Sequence, residues 1–185
     1  MRIIAGSHKG RELITPKTRQ IRPTTDRLKQ IIFDILSTPF KYQRVLDLFA
    51  GSGSLGLEAL SRGASSATFI DNSSLAIRTI SANCKLLALD EKCRIVRLDV
   101  FRALSQFIQG NESFDLVLAD PPYEKMLTSK LLQIFDSASV LMPGGILVIE
   151  HSAKDTPTMN LCHLQCIKTK KIGETAFSFY ENRSL

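Results

Sequence analysis

The densest chemistry in this chain is four residues long: Asp120-Pro121-Pro122-Tyr123, directly after the apolar run Leu116-Val117-Leu118-Ala119. Two consecutive prolines cannot extend a strand ladder, so the backbone after the run is rigid and its carbonyls are fixed in direction. A carboxylate at Asp120 and the carbonyl of Pro121 can accept the two N–H bonds of a planar amino group. On a heterocyclic base such an amino group is a poor nucleophile, because its lone pair is delocalised into the ring. Holding both N–H bonds favours a pyramidal nitrogen and turns the lone pair towards an electrophile, so positioning is the main task. The carboxylate also stabilises the positive charge that develops on nitrogen in a site shielded from water. Tyr123 can stack on the base once the base has left its helix or loop. Without that purpose, the same residues read as a strand end, a proline turn and a core tyrosine.

The electrophile has its own signature in Val45-Leu46-Asp47-Leu48-Phe49-Ala50-Gly51-Ser52-Gly53-Ser54-Leu55-Gly56. An apolar strand runs into a Gly-x-Gly turn and a helix begins at once. Gly51 and Gly53 let the backbone at Ala50 and beyond approach a ligand, and the helix N-terminus offers unpaired N–H groups to an anion. The glycine pattern alone also suits dinucleotides. Asp47 shifts the balance: an acceptor there suits an ammonium group while the helix end takes a carboxylate, so the ligand has amino-acid character. Asp71 follows Gly53 by 18 residues, where an acidic side chain binds ribose hydroxyls. Asp99 can accept from an adenine amino group beside an apolar wall of Val100 and Phe101. Amino acid, ribose and adenine together describe S-adenosylmethionine, whose sulfonium methyl is the electrophile the first motif requires. The plainer alternative is that Asp71 and Asp99 only cap the helices that follow them.

These residues need a sheet to hold them. Strands are expected at 45–49, 67–71, 94–99, 116–120 and 146–150, and helices at 55–61, 75–89, 101–108 and 126–138. Four such crossovers imply parallel strands with the carboxylates along one C-terminal edge. The tail breaks the rhythm, since 164–171 and 176–181 are separated only by a turn around Gly173. That pair is a hairpin and puts one antiparallel strand into an otherwise parallel sheet. Ahead of the sheet, Thr24 or Thr25 caps a helix with Leu28, Ile31, Ile32, Ile35 and Leu36 on one face. Residues 1–14, with Gly6 and Gly10 between short apolar stretches, read as a small hairpin. The fold class is Rossmann-like α/β: mostly parallel, one antiparallel strand, a short N-terminal hairpin and helix.

At 185 residues the chain suits one domain, with a basic extension over 1–44 and a core over 45–185. The extension holds ten Lys/Arg (Lys29 among them) against three Asp/Glu, whereas the remaining 141 residues hold 14 against 15. Such one-sidedness suggests a phosphate-binding appendage, although a solvated surface would look the same. The extension is expected to act on nucleic acid and leave cofactor binding untouched. No apolar run approaches a membrane span, and Met1-Arg2-Ile3-Ile4-Ala5-Gly6 lacks the basic segment and long apolar stretch of a secretory signal, so a cytoplasmic location away from membranes is expected. The four cysteines include one Cys-x3-Cys pair, Cys162 and Cys166; buried free thiols are expected, with no metal. His8, His151 and His163 receive no chemical role.

The glycine motif from Asp47 to Ala64 and Asp120-Pro-Pro-Tyr123 resemble the first and fourth motifs of class I amino-methyltransferases. Met1-Arg-Ile-Ile-Ala-Gly6, Lys9-Gly-Arg11 and Arg22-Pro-Thr-Thr-Asp-Arg27 are similar to the N-terminal signature of the RsmD-type family. The resemblance spans essentially the whole chain. It implies a methyltransferase of guanine N2 in bacterial 16S ribosomal RNA, acting within the small ribosomal subunit or an assembly intermediate. It further implies that Thr25, beside Thr24, lies near the cofactor and that the basic extension (Arg2, Lys9, Arg11, Arg22) grips RNA. Departures from the family pattern are Asp71 for glutamate, Ser54 for alanine and Asp34 for asparagine. The residues alone leave adenine-N6 and cytosine-N4 methylation open, and also a non-enzymatic RNA-binding assembly factor.

Overall fold

The computed structural model describes residues 1–15, 26–36, 40–122, 125–155 and 160–184. The chain divides into two compact units, Met1–Val100 and Phe101–Leu185.

The first unit opens with the expected hairpin. Arg2 and Glu12 form an antiparallel bridge, flanked by Ile3 N–H to Arg11 O and Leu13 N–H to Met1 O, each 2.9 Å. Gly6 and Gly10 turn the chain at φ of +82° and +84°, a region costly for other residues. Helix α1 (Asp26–Ile35) follows. Three parallel strands come next, β1 (Arg44–Leu48), β2 (Ser66–Asp71) and β3 (Cys93–Arg97), in the order β3-β2-β1. Helices α2 (Ser54–Ser61) and α3 (Ser74–Leu87) make the crossovers. Val45 to Leu48 and Ala67 to Ile70 are buried without alternation, as in a strand covered on both faces.

Helix α1 is turned away from the expected face. Its buried stripe is Lys29, Ile32, Phe33 and Leu36, at helical spacing, while Leu28, Ile31 and Ile35 are only half-buried. That face carries a buried ion pair. Lys29 is fully buried against the equally buried Glu58 of α2 (Nζ to Oε2 3.7 Å) and donates to the Arg2 carbonyl. Phe33 lies under the Arg62 guanidinium, 4.7 Å from its ring centroid. Lys29 is therefore a core residue and not part of a phosphate-binding surface. Burial pulls its ammonium pKa down, with Glu58 and Asp26 pulling the other way. The cap assigned to Thr24 or Thr25 lies outside the described residues.

The second unit begins at α4 (Val100–Gln109), whose first residue is the junction, and continues with β4 (Phe114–Ala119) and α5 (Lys125–Ser137). Strands β5 (Leu141–Ser152), β6 (Leu164–Ile172) and β7 (Thr175–Asn182) complete it in the order β4-β5-β7-β6. Strands β4 and β5 are parallel; β7 runs against both β5 and β6. The hairpin turns back at Gly173, so β7 enters between β5 and β6 and is buried almost throughout, while β6 forms the exposed edge. Each buried aromatic such as Phe177 or Phe179 contributes about 1.5–3 kcal/mol by leaving water. Strand β5 starts five residues before the expected 146, because its register slips between Phe114 and Leu116 and absorbs Pro143-Gly144-Gly145.

Asp136 at the end of α5 ties in the start of β6, accepting from Cys162, His163 and Leu164 N–H at 2.7–2.9 Å. Burial works against its anion, and those three N–H groups outweigh it and hold its pKa low. His163 Nδ1 bonds the Asp136 carbonyl and His151 bonds Ser178, so both rings serve the packing. The cysteines differ from expectation: Cys84 is buried and Cys93 half-buried, but Cys162 and Cys166 are exposed, the latter on the edge strand β6. A cavity of about 390 Å³, lined by Ser113, Phe135, Leu141 and Asn182 among others, sits where β4 and β5 begin, at the opposite strand end from Asp120. No described helix is long and apolar enough to cross a membrane.

Candidate active site

Strand β1 stops at Leu48, one residue short of expectation, because Phe49 takes the left-handed conformation (φ +57°). For a bulky residue that conformation costs about 1–3 kcal/mol. It throws the chain sharply off the sheet into the glycine turn. Gly51 (φ +57°) and Gly53 (φ +76°) continue in the same region, and Gly53 N–H closes on Ala50 O at 2.7 Å. Ala50 N–H is tied to Ile70 O of β2 at 3.1 Å. A side chain at Gly53 would press on Phe69 and Ile80, and one at Gly56 would overlap the Phe69 ring. The glycines thus permit both the turn and the seating of α2 on β2. The turn carries no side chain at 51 or 53; Gly51 is half-buried, and Ser52 and Gly53 are buried.

Three carboxylates lie along the same edge of β3-β2-β1, each in a different environment. Asp47 is 2% exposed, and its Oδ2 accepts from Gly56 N–H at 2.9 Å. Burial pushes its pKa up to about 8; the Gly56 N–H opposes this and nearby Asp71 adds to it. Asp71, the last residue of β2, uses both oxygens locally. Oδ2 accepts from Gly51 N–H at 2.9 Å and Oδ1 from Ser73 N–H at 2.8 Å. It therefore clamps the glycine turn and also steadies the start of α3, where the Ser73 hydroxyl is the cap. Asp99 is not the end of a strand: β3 stops at Arg97, and Asp99 is exposed immediately before α4, with Val100 buried behind it.

In the second unit Asp120 is half-buried and is the first residue beyond β4, followed by buried Pro121 and exposed Pro122. The strand ends one residue earlier than expected, which leaves Asp120 on the rigid proline segment. Tyr123, Thr25 and Arg22 lie outside the described residues. Lys9 and Arg11 are exposed, although Arg11 also donates to Leu86 O at 3.2 Å. Arg2 is exposed yet paired with Asp26 at 3.3 Å, which offsets part of its charge.

Several residues that shape this region carry no motif. Glu58 accepts Ile4 and Ala5 N–H at 2.8 and 3.0 Å and pairs with Arg62 at 2.8 Å. The Ser61 hydroxyl donates to Ala5 O, and Ser61 O accepts Ser7 N–H at 2.8 Å. Asn83 bonds both the hairpin and the glycine turn. Glu58 was detectable as a single charge in an otherwise uncharged helix, and Asn83 as a polar residue on the apolar stripe Ile80, Cys84, Leu87. Both patterns demand partners, but neither says which.

The model of the family described as Conserved hypothetical protein 95 matches residues 1–181. The Bacillus subtilis protein named "Putative rRNA methyltransferase YlbH" is 37% identical, over 99% of this chain and 100% of its own. "Ribosomal RNA small subunit methyltransferase D" of Haemophilus influenzae is 32% identical, over 98% of this chain and 94% of its own. Among solved structures, "Putative methyltransferase yhhF" from Escherichia coli superposes with a TM-score of 0.87 at 28% identity, covering 100% of this chain and 99% of that one.

Proposed function

The chain belongs to the family described as Conserved hypothetical protein 95, and on that premise we propose that it methylates small-subunit ribosomal RNA at the N2 amino group of a guanine. It is an S-adenosylmethionine-dependent ribosomal RNA methyltransferase. The observation that carries this is the glycine turn at the start of α2, which the Asp71 carboxylate fixes through Gly51 N–H at 2.9 Å.

S-adenosylmethionine supplies an activated methyl group on a sulfonium. The chain's residues do the rest. The turn at Ala50, Gly51 and Gly53 receives the amino-acid end. Burial raises the Asp47 carboxyl to about 8; an ammonium beside it would favour the carboxylate, which would accept from that ammonium as its proton passed to solvent. Asp71 takes the ribose hydroxyls on the lone pairs that Gly51 and Ser73 leave, and Asp99 with Val100 takes the adenine. Thr25 is assigned to the same pocket. Asp120 and the Pro121 carbonyl accept the N–H bonds of the guanine amino group, and Tyr123 stacks on its ring.

Residues 1–44 serve as the RNA-binding extension of one methyltransferase domain, through Arg2, Lys9, Arg11 and Arg22, with 45–185 as the core. The partner is 16S RNA in the small ribosomal subunit or an assembly intermediate, in the cytoplasm. The test is incubation with tritiated S-adenosylmethionine and small subunits lacking the modification, followed by digestion to nucleosides. N2-methylguanosine is expected. A methylated adenosine or cytidine would overturn the base assignment, and no incorporation would leave an RNA-binding assembly factor.

A further inference from the structure

The apolar stripe of α3 is interrupted by one fully buried polar side chain, Asn83. Its amide faces two different parts of the chain. Oδ1 accepts Ile14 N–H at 2.7 Å, and Nδ2 donates both to Ile14 O at 3.1 Å and to Ser52 O at 3.0 Å. Ile14 closes the N-terminal hairpin; Ser52 sits between Gly51 and Gly53 and is itself 4% exposed. A second tie runs in parallel, with the Ser52 hydroxyl directed at the Met1 sulfur, 3.9 Å away.

The same hairpin is seated on the far end of α2. Gly6 presses against the Ser61 carbonyl so closely that any Cβ would overlap it. Ile4 and Ala5 N–H end on Glu58. The hairpin therefore grips the helix that the glycine turn opens, at the turn and at the opposite end. If the hairpin lifts, both hydrogen bonds between Asn83 and Ile14 are lost, and the amide that holds Ser52 O loses its anchor on that side; each buried group left unpaired costs about 1–3 kcal/mol.

We propose that Asn83 is a positioning residue that makes docking of the hairpin a condition for the ligand-ready shape of the glycine turn. S-adenosylmethionine at the turn and RNA on the hairpin then bind cooperatively, each raising the affinity of the other by the same factor. This reverses the expectation that the extension leaves cofactor binding untouched, and it rests on the reading that the turn holds S-adenosylmethionine.

The decisive variant acts away from the turn. Gly6→Val drives a side chain into the Ser61 carbonyl and undocks the hairpin while leaving Asn83 and the turn residues intact. With folding verified by circular dichroism, it is expected to weaken S-adenosylmethionine binding about fivefold or more by calorimetry. KM for the cofactor should rise more than kcat falls. Asn83→Ala should do the same, and the double variant should be no worse than the more severe single one, because both break one link. Wild-type affinity in folded Gly6→Val would overturn the proposal. So would a wild-type RNA affinity that is indifferent to the cofactor. If neither variant folds, amide exchange of the wild-type protein decides: S-adenosylmethionine should slow exchange at Ile4, Ala5, Ser7 and Ile14, whose N–H groups dock the hairpin on α2 and Asn83, and unchanged rates there count against coupling. Failure of the wild-type protein to bind S-adenosylmethionine would instead overturn the functional reading itself.

Discussion

Asp71 Oδ2 accepts the Gly51 N–H at 2.9 Å while Oδ1 accepts Ser73 N–H, so one carboxylate joins the end of β2 to the turn after β1 and to the start of α3. Replacing it therefore has two separable effects. Asp71→Asn keeps an acceptor for Gly51 but loses the charge, and Asp71→Ala loses both. S-adenosylmethionine binding is expected to weaken in both, by about 1.5–3 kcal/mol in the alanine variant and by less in the asparagine variant. Calorimetry giving wild-type affinity for Asp71→Ala would remove Asp71 from the site.

Asp47 predicts a pH dependence. Its carboxyl is raised to about 8 in the folded protein from an ordinary value of 3.8. Between those values the folded state binds a proton that the unfolded state lacks. Stability must therefore fall as pH rises through that window, by up to about 1.4 kcal/mol per pH unit, and level off above pH 8. Urea denaturation of the ligand-free protein at pH 6, 7 and 8 should show the decline. Asp47→Asn should flatten it, and an unchanged slope would refute the assignment.

Asp120 is assigned to the target amino group and not to the cofactor. Asp120→Ala should lose most single-turnover activity with S-adenosylmethionine affinity nearly intact. Tyr123→Ala should hurt less than Tyr123→Asp, because other apolar walls replace stacking and a second carboxylate cannot. Wild-type turnover in Asp120→Ala would refute the role.

The buried ions of the first unit are unequal. Removing Glu58 strands Lys29 in the core and leaves Ile4 and Ala5 N–H without their acceptor. Glu58→Ala should cost about 3–5 kcal/mol. Lys29→Met should cost clearly less, since Glu58 keeps Arg62 and both N–H donors. Guanidinium midpoints in the opposite order would show that Lys29 is the essential member.

Lys9 and Arg11 are exposed on the hairpin, so replacing both should weaken RNA binding and flatten its salt dependence through reduced counterion release. So few charges cannot read a long sequence, and a shaped surface presenting one unstacked guanine must supply specificity. Methyl incorporation should therefore be faster on a structured small-subunit particle than on naked 16S RNA. Equal rates at matched salt would contradict that.

The sequence by itself determined the order and kind of the elements, because local periodicity and glycine or proline punctuation act over a few residues. The strand-turn-helix around Gly51 and Gly53, the proline stop after Ala119 and the closing hairpin were all legible that way. It also placed Asp47 and Asp71 on one edge, since parallel crossovers leave no alternative. Tertiary structure decided what local signals cannot carry. Which face of α1 is buried depended on Glu58, in another helix, and so Lys29 passed from surface to core. Where β5 begins depended on a register slip against β4. Whether the basic hairpin is an appendage depended on Asn83 and Ser61, which lie 69 and 54 residues from the groups they hold. Those pairings are long-range, and a buried polar residue announces in sequence only that it needs a partner, because the partner is chosen by packing.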